Sequence, residues 1–299
     1  MLFPTVSATD KRQNLRAPLK TGQLLQFPGS WSPLLSMAIG REGFDGVYIS
    51  GSVLSNDLGY PDVGLTSLTE VTQRGRQISR TTALPSLIDI DTGFGEPLNV
   101  VRSIQELIEL GISGCHLEDQ VNPKRCGHLD GKQLVSKEEM ARKIRAAILG
   151  RKSDENFVLI ARTDSRAQEG LDGAIERAKL YLGMGADCIF IEALEDEREF
   201  EQFRSAISAP LLANMTEFGK SPLLNYRQLS NLGNNIVIYP VTMFRLAMKA
   251  SADGLTEIKR HGTQEGLLGA MQKRHELYSV SRYEEYDKLD QEIRRSTEP

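Results

Sequence analysis

The sequence has few cysteines and no long apolar run, and both absences narrow the class of protein. Only three cysteines occur in 299 residues, an odd and small number that does not suit a disulfide framework. No apolar stretch reaches the roughly 18 residues that a membrane-spanning helix needs, and the first residues lack the charged and then apolar pattern of a signal peptide. We therefore expect a soluble, cytoplasmic protein without a membrane partner.

The chain also lacks an excess of charge of either sign. It carries 36 basic and 40 acidic side chains, a formal net charge of −4, whereas a nucleic-acid-binding protein usually presents a dominant basic face. Hydrophobic residues make up 40% and charged residues 25% of the chain, as in ordinary globular proteins. These values favour a globular protein with a large core and no nucleic-acid partner.

Glycine-rich phosphate loops are missing as well, because neither G-x-G-x-x-G nor G-x-x-x-x-G-K-[ST] occurs. A short apolar run that ends on a polar or charged residue recurs instead. Strands that are buried on both faces are short and rich in Val, Ile and Leu. Eight strand candidates lie in segments 24–30, 42–50, 85–91, 109–119, 157–164, 183–193, 210–217 and 231–240.

Segments with helical periodicity separate these strands, and Ser136 followed by Glu139 is a capping-box pattern at the start of one of them. Strict alternation of strand and helix predicts a parallel sheet. Eight units without a phosphate loop favour an α/β fold of the (β/α)8 TIM-barrel type over an open doubly wound sheet. We expect one domain over 1–299, with 265–299 as a C-terminal helical extension. The helical segments are 67–80, 99–110, 136–149 and 170–182.

Polar residues at the carboxyl ends of these strands are the candidates for function, because TIM barrels build their active sites there. Side chains two apart on a strand point the same way, so Asp89 and Asp91 share a face. Neighbouring carboxylates repel one another unless a cation lies between them, and Mg²⁺ prefers such oxygen ligands. Asp89, Asp91 and Glu118 are therefore metal candidates, with capping or arginine-pairing carboxylates as the alternative. The other strand-end residues are Tyr48, Ser50, His116, Asp119, Arg162, Asp164, Glu192, Asn214, Thr216 and Tyr239.

The segment 122–132, NPKRCGHLDGK, follows the fourth strand and places a cysteine among cations. Such a setting can hold a thiol partly ionised near an anion, and a polar loop gives a cysteine no packing role. A plain surface loop is the alternative interpretation. A structural zinc site is a weaker one, because two of its four ligands would be strand neighbours that face opposite sides; its ligands would be Cys115, His116, Cys126 and His128.

Four arginines lie in or beside segments that follow strands. Arginine suits bidentate binding of carboxylates, and together with metal-type carboxylates these side chains indicate a small polyanionic substrate. They are Arg125, Arg162, Arg245 and Arg274.

Seven segments together resemble the isocitrate lyase / phosphoenolpyruvate mutase superfamily. The cysteine loop KRCGH is the most specific of them, and the chain length resembles the 2-methylisocitrate lyase branch more than the longer isocitrate lyases. The resemblance extends from about Leu24 to about Leu289. The segments are VYISG (47–51), GYPDVG (59–64), DIDTGFG (89–95), HLEDQ (116–120), KRCGH (124–128), ARTD (161–164) and NMTEFG (214–219).

This resemblance implies a Mg²⁺-dependent retro-aldol cleavage of (2S,3R)-2-methylisocitrate into pyruvate and succinate, a step of the methylcitrate cycle of propionate catabolism. Asp89 and Asp91 would hold the metal, and Glu118 would contribute through water. The resemblance also implies a homotetramer in which the helix over 265–280 is exchanged between neighbouring subunits. The implied substrate-binding residues are Ser50, Gly51, Ser52, Cys126, Gly127, Arg162, Glu192, Asn214, Thr216, Arg245 and Arg274.

The flow of charge in that cleavage suggests further roles. Cys126 would protonate the carbon that becomes part of succinate, with His128 and Glu118 tuning the thiol. Arg125 would stabilise the charge that grows on the succinate half. The proton of the substrate hydroxyl would go to Tyr48 or to a metal-bound group.

Three alternative interpretations remain open on the sequence alone. One is a related lyase for isocitrate or a 2,3-dimethylmalate-like acid. A second is a phosphonate mutase or oxaloacetate hydrolase, which the KRCGH loop disfavours. The third is a non-catalytic scaffold, disfavoured by so many polar strand ends, because buried charges are costly unless they are paired.

Overall fold

The computed structural model describes residues 4–151 and 154–297, along which strands and helices alternate. The strands are β1 (Leu25–Pro28), β2 (Val47–Ile49), β3 (Ser86–Asp89), β4 (Gly114–Glu118), β5 (Val158–Thr163), β6 (Cys188–Ile191), β7 (Leu211–Asn214) and β8 (Ile236–Tyr239). The helices are α1 (Ala8–Leu19), α2 (Pro33–Arg41), α3 (Gly51–Asp57), α4 (Leu68–Ser79), α5 (Pro97–Glu109), α6 (Lys137–Gly150), α7 (Arg166–Gly183), α8 (Glu197–Ala206), α9 (Tyr226–Asn231), α10 (Thr242–His261), α11 (Arg274–Ser281) and α12 (Tyr283–Thr297). A 3-10 helix covers Glu265–Ala270.

The eight strands form one parallel sheet that closes into a barrel. Their order is β1-β8-β7-β6-β5-β4-β3-β2. The two ends of this order meet where Gly29, just after β1, bridges to Tyr48 of β2, and the amide of Ser30 donates to the Tyr48 carbonyl at 2.8 Å. The TIM barrel is confirmed, and each strand falls within a segment that the sequence predicts.

Side chains that alternate along the strands build two apolar layers. Those that point inward fill the barrel, and those that point outward pack against the helices. Leu15 and Leu19 of α1 join the inner layer, so this helix covers one end of the barrel. Two arginines fix α1 there: Arg12 donates to the Ile112 carbonyl at 2.9 Å, and Arg16 donates to the Phe157 carbonyl at 3.0 Å. A cavity of the barrel must therefore open at the other end.

Side-chain caps set where the helices of the outer layer begin. The predicted capping box of α6 is confirmed, because the Glu139 amide donates to Ser136 Oγ at 3.1 Å and the Ser136 amide donates to Glu139 Oε2 at 2.9 Å. Ser67 and Glu70 make the same reciprocal pair at α4. These caps satisfy amides that the first helical turn leaves without partners, and they fix the point at which each preceding loop must end.

The C-terminal part differs from the rest of the outer layer. No residue of α10, over Thr242–His261, is buried, and α11 contacts α2. The predicted helical extension is confirmed, whereas its exchange between subunits and the single-domain partition stay predictions. Along the described ranges, no helix is both long and apolar enough to cross a bilayer.

Candidate active site

A polar cavity opens at the carboxyl ends of the strands. Several strand ends and loop 122–132 form its walls, so residues that are far apart in the sequence converge here. The predicted site residues that line this cavity are Tyr48, Ser50, Ser52, Asp89, Cys126, Gly127, His128, Arg162, Glu192, Asn214, Thr216 and Arg245.

The five other predicted site residues lie beside or away from the cavity: Gly51, Asp91, Glu118, Arg125 and Arg274. Gly51 is directly behind Asp89, because its amide donates to Asp89 Oδ2 at 3.2 Å and a Cβ there would stand 2.9 Å from that oxygen. Arg125 is exposed and donates to the Asp130 carbonyl at 3.4 Å. Arg274 is exposed at the start of α11. Within one chain, neither arginine lines the cavity.

A buried tyrosine and histidine form one wall. Tyr48 Oη lies 2.7 Å from His116 Nε2, and His116 Nδ1 lies 3.6 Å from Asp89 Oδ1. Burial lowers the pKa of His116 to about 3, so this ring is neutral and can accept a hydrogen bond from the phenol. Burial, reinforced by Asp89, raises the pKa of Tyr48 well above its usual range. The pair is therefore a phenol that donates to a neutral imidazole.

Arg162 connects the carboxylates on the opposite side. Its guanidinium donates to both oxygens of Asp164, at 2.9 and 3.0 Å. It also lies 3.3 Å from Glu118 and 3.2 Å from Glu192. Burial alone would raise the pKa of Glu192, but Arg162 and His128 outweigh it and lower that pKa to about 2. Glu192 is therefore an anion at neutral pH.

Asp89 and Asp91 lie side by side, but only Asp89 is on β3. Asp91 lies in the turn that follows, so the two do not share a strand face as the sequence predicts. Asp91 has a left-handed backbone with φ of 47°, and its amide donates to Asp89 Oδ1 at 2.9 Å. Burial raises the pKa of Asp89 above its usual value and that of Asp91 to about 6. The nearby cations thus do not fully offset the cost of burying these two negative charges.

Lys124 and Asp62 are the site residues that the sequence analysis missed. Lys124 is buried, lies 2.9 Å from Asp91 Oδ1 and is ion-paired with Asp62. In spite of its burial, these carboxylates raise its pKa well above the usual lysine range. The signal was present in the sequence, because Lys124 stands beside Arg125 in the KRCGH loop and Asp62 lies in GYPDVG. Side chains of a loop do not alternate between two faces as those of a strand do, so the sequence does not predict whether Lys124 or Arg125 points inward.

The carboxylate oxygens fit a magnesium ion held by few protein ligands. Among the described residues, neither oxygen of Glu118 has a hydrogen-bond partner, and burial raises the pKa of Glu118 well above its usual range. Mg²⁺ typically binds one or two carboxylates and keeps several waters. Unsatisfied hard oxygens beside Asp89 and Asp91 are what such a hydrated ion requires.

A ready-made cage of protein ligands is not found. Across residues 4–151 and 154–297, no three His, Cys, Asp or Glu side chains converge so as to hold a metal. The zinc alternative fails for this reason, and because Cys115 belongs to the outer apolar layer while His116 is buried against Tyr48 inside the barrel. A metal in this site must therefore take some of its ligands from water or substrate.

Loop 122–132 lies against the strand ends and brings its cysteine to the cavity. The side chain of Gln120 fixes it, accepting from the Arg125 amide and donating to the Arg125 carbonyl, both at 2.9 Å. His128 Nε2 lies 3.0 Å from Glu192 Oε1. Burial raises the pKa of the Cys126 thiol above its ordinary value. At neutral pH this sulfur therefore carries a proton, and the partly ionised thiol that the sequence suggests is wrong, because burial outweighs the neighbouring cations.

Two strand-end residues belong to the scaffold. Asp119 points away from the cavity and accepts from Thr163 and Tyr181, both at 2.7 Å. Tyr239 accepts from Gln26 at 3.2 Å. Arg245, which does line the cavity, is half-exposed and pairs with Glu217 at 3.0 Å.

The fold and this constellation define a class: a TIM-barrel enzyme built for acid–base chemistry on a small molecule. The model of the family described as phosphoenolpyruvate phosphomutase matches residues 15–259. A probable 2-methylisocitrate lyase of Corynebacterium glutamicum is 55% identical over 95% of this chain and 93% of its own. A 2-methylisocitrate lyase of Halalkalibacterium halodurans is 46% identical over 96% and 95%. The chain thus belongs to the 2-methylisocitrate lyases of the phosphoenolpyruvate phosphomutase family.

Solved structures agree with this assignment. A 2,3-dimethylmalate lyase superposes with a TM-score of 0.88 at 30% identity and covers 97% of this chain and 96% of its own. A phosphonopyruvate hydrolase in complex with oxalate and Mg²⁺ has a TM-score of 0.85 at 30% identity, with 94% and 98% covered. The second structure shows that a neighbour of this fold binds Mg²⁺.

Proposed function

We propose that this chain is a Mg²⁺-dependent carbon–carbon lyase that cleaves (2S,3R)-2-methylisocitrate into pyruvate and succinate, the reaction of the methylcitrate cycle in propionate catabolism. The relatives that carry this enzyme name align over nearly the whole chain. The observation that carries the proposal is the convergence of a protonated thiol, a guanidinium and a metal-type carboxylate on one cavity: Cys126, Arg162 and Asp89 all line it, with Asp91 next to Asp89.

The charges around the cavity support a divalent cation together with an anionic substrate. The buried carboxylates outnumber the buried cations, so a tricarboxylate would be repelled without further positive charge. Asp89 and Asp91 would hold Mg²⁺, and Glu118 would act through water. The ion, when bound, supplies Lewis acidity that lowers the pKa of the substrate hydroxyl.

The substrate carboxylates would then meet the remaining cations. Arg162 and Arg245 can each present a planar pair of donors to a carboxylate. Lys124 is the cation of loop 122–132 that faces the cavity, and we therefore give it the charge-stabilising role that the sequence suggests for Arg125. Hydrogen-bonding groups on the wall complete the pocket and orient the substrate: Ser50, Ser52, Asn214 and Thr216.

Tyr48 is the residue that we propose to take the hydroxyl proton. Its phenol oxygen can accept that proton while its own proton passes to Nε2 of His116, 2.7 Å away. Because burial lowers the pKa of His116 to about 3, the ring would hold this proton only while the bond breaks, with Asp89 Oδ1 3.6 Å from its Nδ1 to compensate the charge. The alkoxide electrons then form the carbonyl of pyruvate as the C2–C3 bond breaks.

Cys126 completes the reaction as the general acid. The electrons of the broken bond collect on C3 and its carboxylate, next to Arg162 and Lys124, which can stabilise the growing negative charge. Because burial keeps the thiol protonated, Cys126 can donate a proton to C3 and yield succinate. His128, held by Glu192, is placed to orient the loop that carries this thiol.

We further propose a homotetramer with exchange of the helical segment 265–280. Exposed apolar side chains on α10 and the segments after it support a covering partner surface. Arg274 lies away from the cavity of its own chain, so its assignment as a substrate ligand depends on this exchange. A cytoplasmic location stays a prediction.

A second candidate is a lyase for a 2,3-dimethylmalate-like acid, which the similarity to the solved 2,3-dimethylmalate lyase favours. The test is a coupled assay of pyruvate release from 2-methylisocitrate, isocitrate and 2,3-dimethylmalate, each with Mg²⁺ and with a chelator. We expect Mg²⁺-dependent pyruvate from 2-methylisocitrate. Glyoxylate from isocitrate, or faster turnover of dimethylmalate, would contradict the proposal.

A further inference from the structure

Lys132 is a buried cation for which the proposed chemistry has no use. It is only 6% exposed, at the end of loop 122–132. Its ammonium group donates to the carbonyl of Gly127 in the same loop and lies 3.3 Å from Asp164 Oδ1. Lysine is almost never fully buried unless it is paired. The two contacts of its ammonium group therefore offset its burial.

The partner of Lys132 is shared with the cavity. Asp164 is fully buried and accepts two hydrogen bonds from Arg162. One carboxylate thus accepts from two cations. Lys132 contacts the loop, and Arg162 lines the cavity. Because Oδ1 of Asp164 accepts from both cations, a shift of Lys132 moves the carboxylate to which Arg162 is bound.

Gly127 brings the loop backbone into direct contact with this pair. A Cβ at this position would stand 2.7 Å from Asp164 Oδ1 and would clash with the side chains of Arg162 and Glu192. Only glycine leaves room for so close an approach. The neighbouring Cys126 is therefore positioned by a backbone that rests on the Arg162–Asp164 pair.

A second contact holds Lys132 from outside the loop. The side-chain amide of Gln168, in the first turn of α7, donates to the Lys132 carbonyl. The loop is thus tied at both groups of one residue, its ammonium and its carbonyl. Without Lys132, Asp164 would keep Arg162 as a partner of its carboxylate, and its backbone would stay held by its own amide, which donates to Asp119 at 2.9 Å. We therefore expect the loss of Lys132 to affect the conformation of the loop more than the folding of the barrel.

We propose that Lys132 is a positioning residue that latches loop 122–132 over the cavity and, through Asp164, sets the orientation of Arg162. The latch joins groups of the protein alone, so it acts with or without substrate. Only its effect on turnover rests on the proposed function.

The test begins with the ligand-free protein and an arginine-specific protease that cuts after the exposed Arg125. Lys132→Met keeps the length of the side chain but removes the charge. We expect cleavage after Arg125 to become at least about tenfold faster, because hydrogen bonds to a charged group are lost. Lys132→Arg should restore most of the protection. The matched control Lys137→Met, which removes an exposed pair with Glu176, should leave the rate unchanged.

Gln168→Ala provides a second variant, since Gln168 is exposed and its loss should not prevent folding. We expect cleavage after Arg125 to be faster here also, by a smaller factor than in Lys132→Met. Unchanged cleavage in folded Lys132→Met, or in Gln168→Ala if Lys132→Met does not fold, would overturn the latch.

Turnover separates a positioning role from a purely structural one. In Lys132→Met, kcat for pyruvate release should fall at least about tenfold while the circular dichroism spectrum and Mg²⁺ binding measured by titration stay close to wild type, and Lys132→Arg should recover part of it. A kcat equal to wild type would overturn the coupling to Arg162. If the wild type itself releases no pyruvate while Lys132→Met loses protection, the proposed function fails and the latch stands.

Discussion

The three cysteines of this chain show how environment decides the role of a residue. Cys115 and Cys188 are fully buried among apolar side chains, and burial raises the pKa of both thiols strongly. Cys126 is partly exposed and lines the cavity beside charged groups. Of the three, only Cys126 combines a proton to give with access to a substrate.

Replacing Cys126 by serine should therefore remove the acid and leave the pocket. We expect Cys126→Ser to lower kcat about 10²- to 10⁴-fold, the usual contribution of a general acid, while Mg²⁺ and succinate still bind in calorimetric titrations. Cys115→Ala is the matched control and should retain turnover. Turnover of Cys126→Ser near that of wild type would exclude the thiol from the mechanism.

The protonation of Cys126 can be followed by alkylation. Because burial raises its pKa, the reactive thiolate is the minor form at neutral pH. We expect the rate of iodoacetamide labelling at Cys126, measured by mass spectrometry, to rise about tenfold per pH unit through pH 8. A plateau of that rate below the ordinary thiol pKa of about 8.5 would contradict a protonated acid.

Glu192 should contribute to stability through its charge. Its pKa falls from 4.5 to about 2 in the folded state, so it stabilises the fold above pH 4.5, and this contribution is lost as the pH falls towards 2. Glu192→Gln should lower the free energy of unfolding by about 3 kcal/mol at pH 7, as measured by urea denaturation. The difference from wild type should narrow below pH 4.5. Equal loss in the exposed control Glu201→Gln would contradict this cause.

Strand residues of the site could be predicted from the sequence, whereas loop residues could not. The carboxyl ends of the strands meet at one rim of a barrel, and on that basis the sequence predicts Asp89, Arg162 and Glu192 near one another; all three line one cavity. Loop 122–132 has no such constraint, so the sequence favoured Arg125 over Lys124 and gave no reason to choose Lys132. Their directions follow from tertiary contacts with Asp91 and Asp164.

At the scale of elements, the alternation of strands with capped helices carried most of the fold. Eight short apolar runs and their polar ends sufficed to predict the barrel. The role of α1 could not be predicted, because a polar amphipathic helix before the first strand does not reveal that Leu15 and Leu19 cover one end of a barrel. The two leucines find their apolar contacts only when the eight strands have formed the barrel.

The cap of α6 provides a test at this scale. Ser136 satisfies the Glu139 amide at the point where loop 122–132 passes into the helix. Ser136→Ala should lower the free energy of unfolding by about 1 kcal/mol, measured by chemical denaturation. Ser251→Ala, in the middle of the exposed α10, is the control and should cost less. If Ser136→Ala cost no more than Ser251→Ala, the cap would not stabilise α6.

At the scale of the whole molecule, about half of the exposed large apolar side chains of the described residues lie on α10 and the segments after it. The helices α4 to α8 each bury a face against the barrel, whereas α10 buries none of its residues. Contiguous exposed apolar surface marks an interface more often than a free surface. The exposed apolar residues from α10 to α12 are Leu246, Met248, Leu255, Ile258, Leu268, Met271, Leu277, Tyr278, Tyr283, Tyr286, Leu289 and Ile293.

Charges placed on this surface should therefore disrupt assembly without unfolding the barrel. Leu255 is 71% exposed and Leu268 is 63% exposed, and burial of a leucine at an interface contributes about 1.5–3 kcal/mol. We expect the wild type to elute as a tetramer in size-exclusion chromatography with light scattering, and Leu255→Glu/Leu268→Glu to shift to smaller species with an unchanged circular dichroism spectrum. Leu98→Glu, at an isolated leucine of α5 that is 83% exposed, is the control and should remain tetrameric. A monomeric wild type at micromolar concentration would contradict the tetramer and would show that this apolar surface serves another purpose.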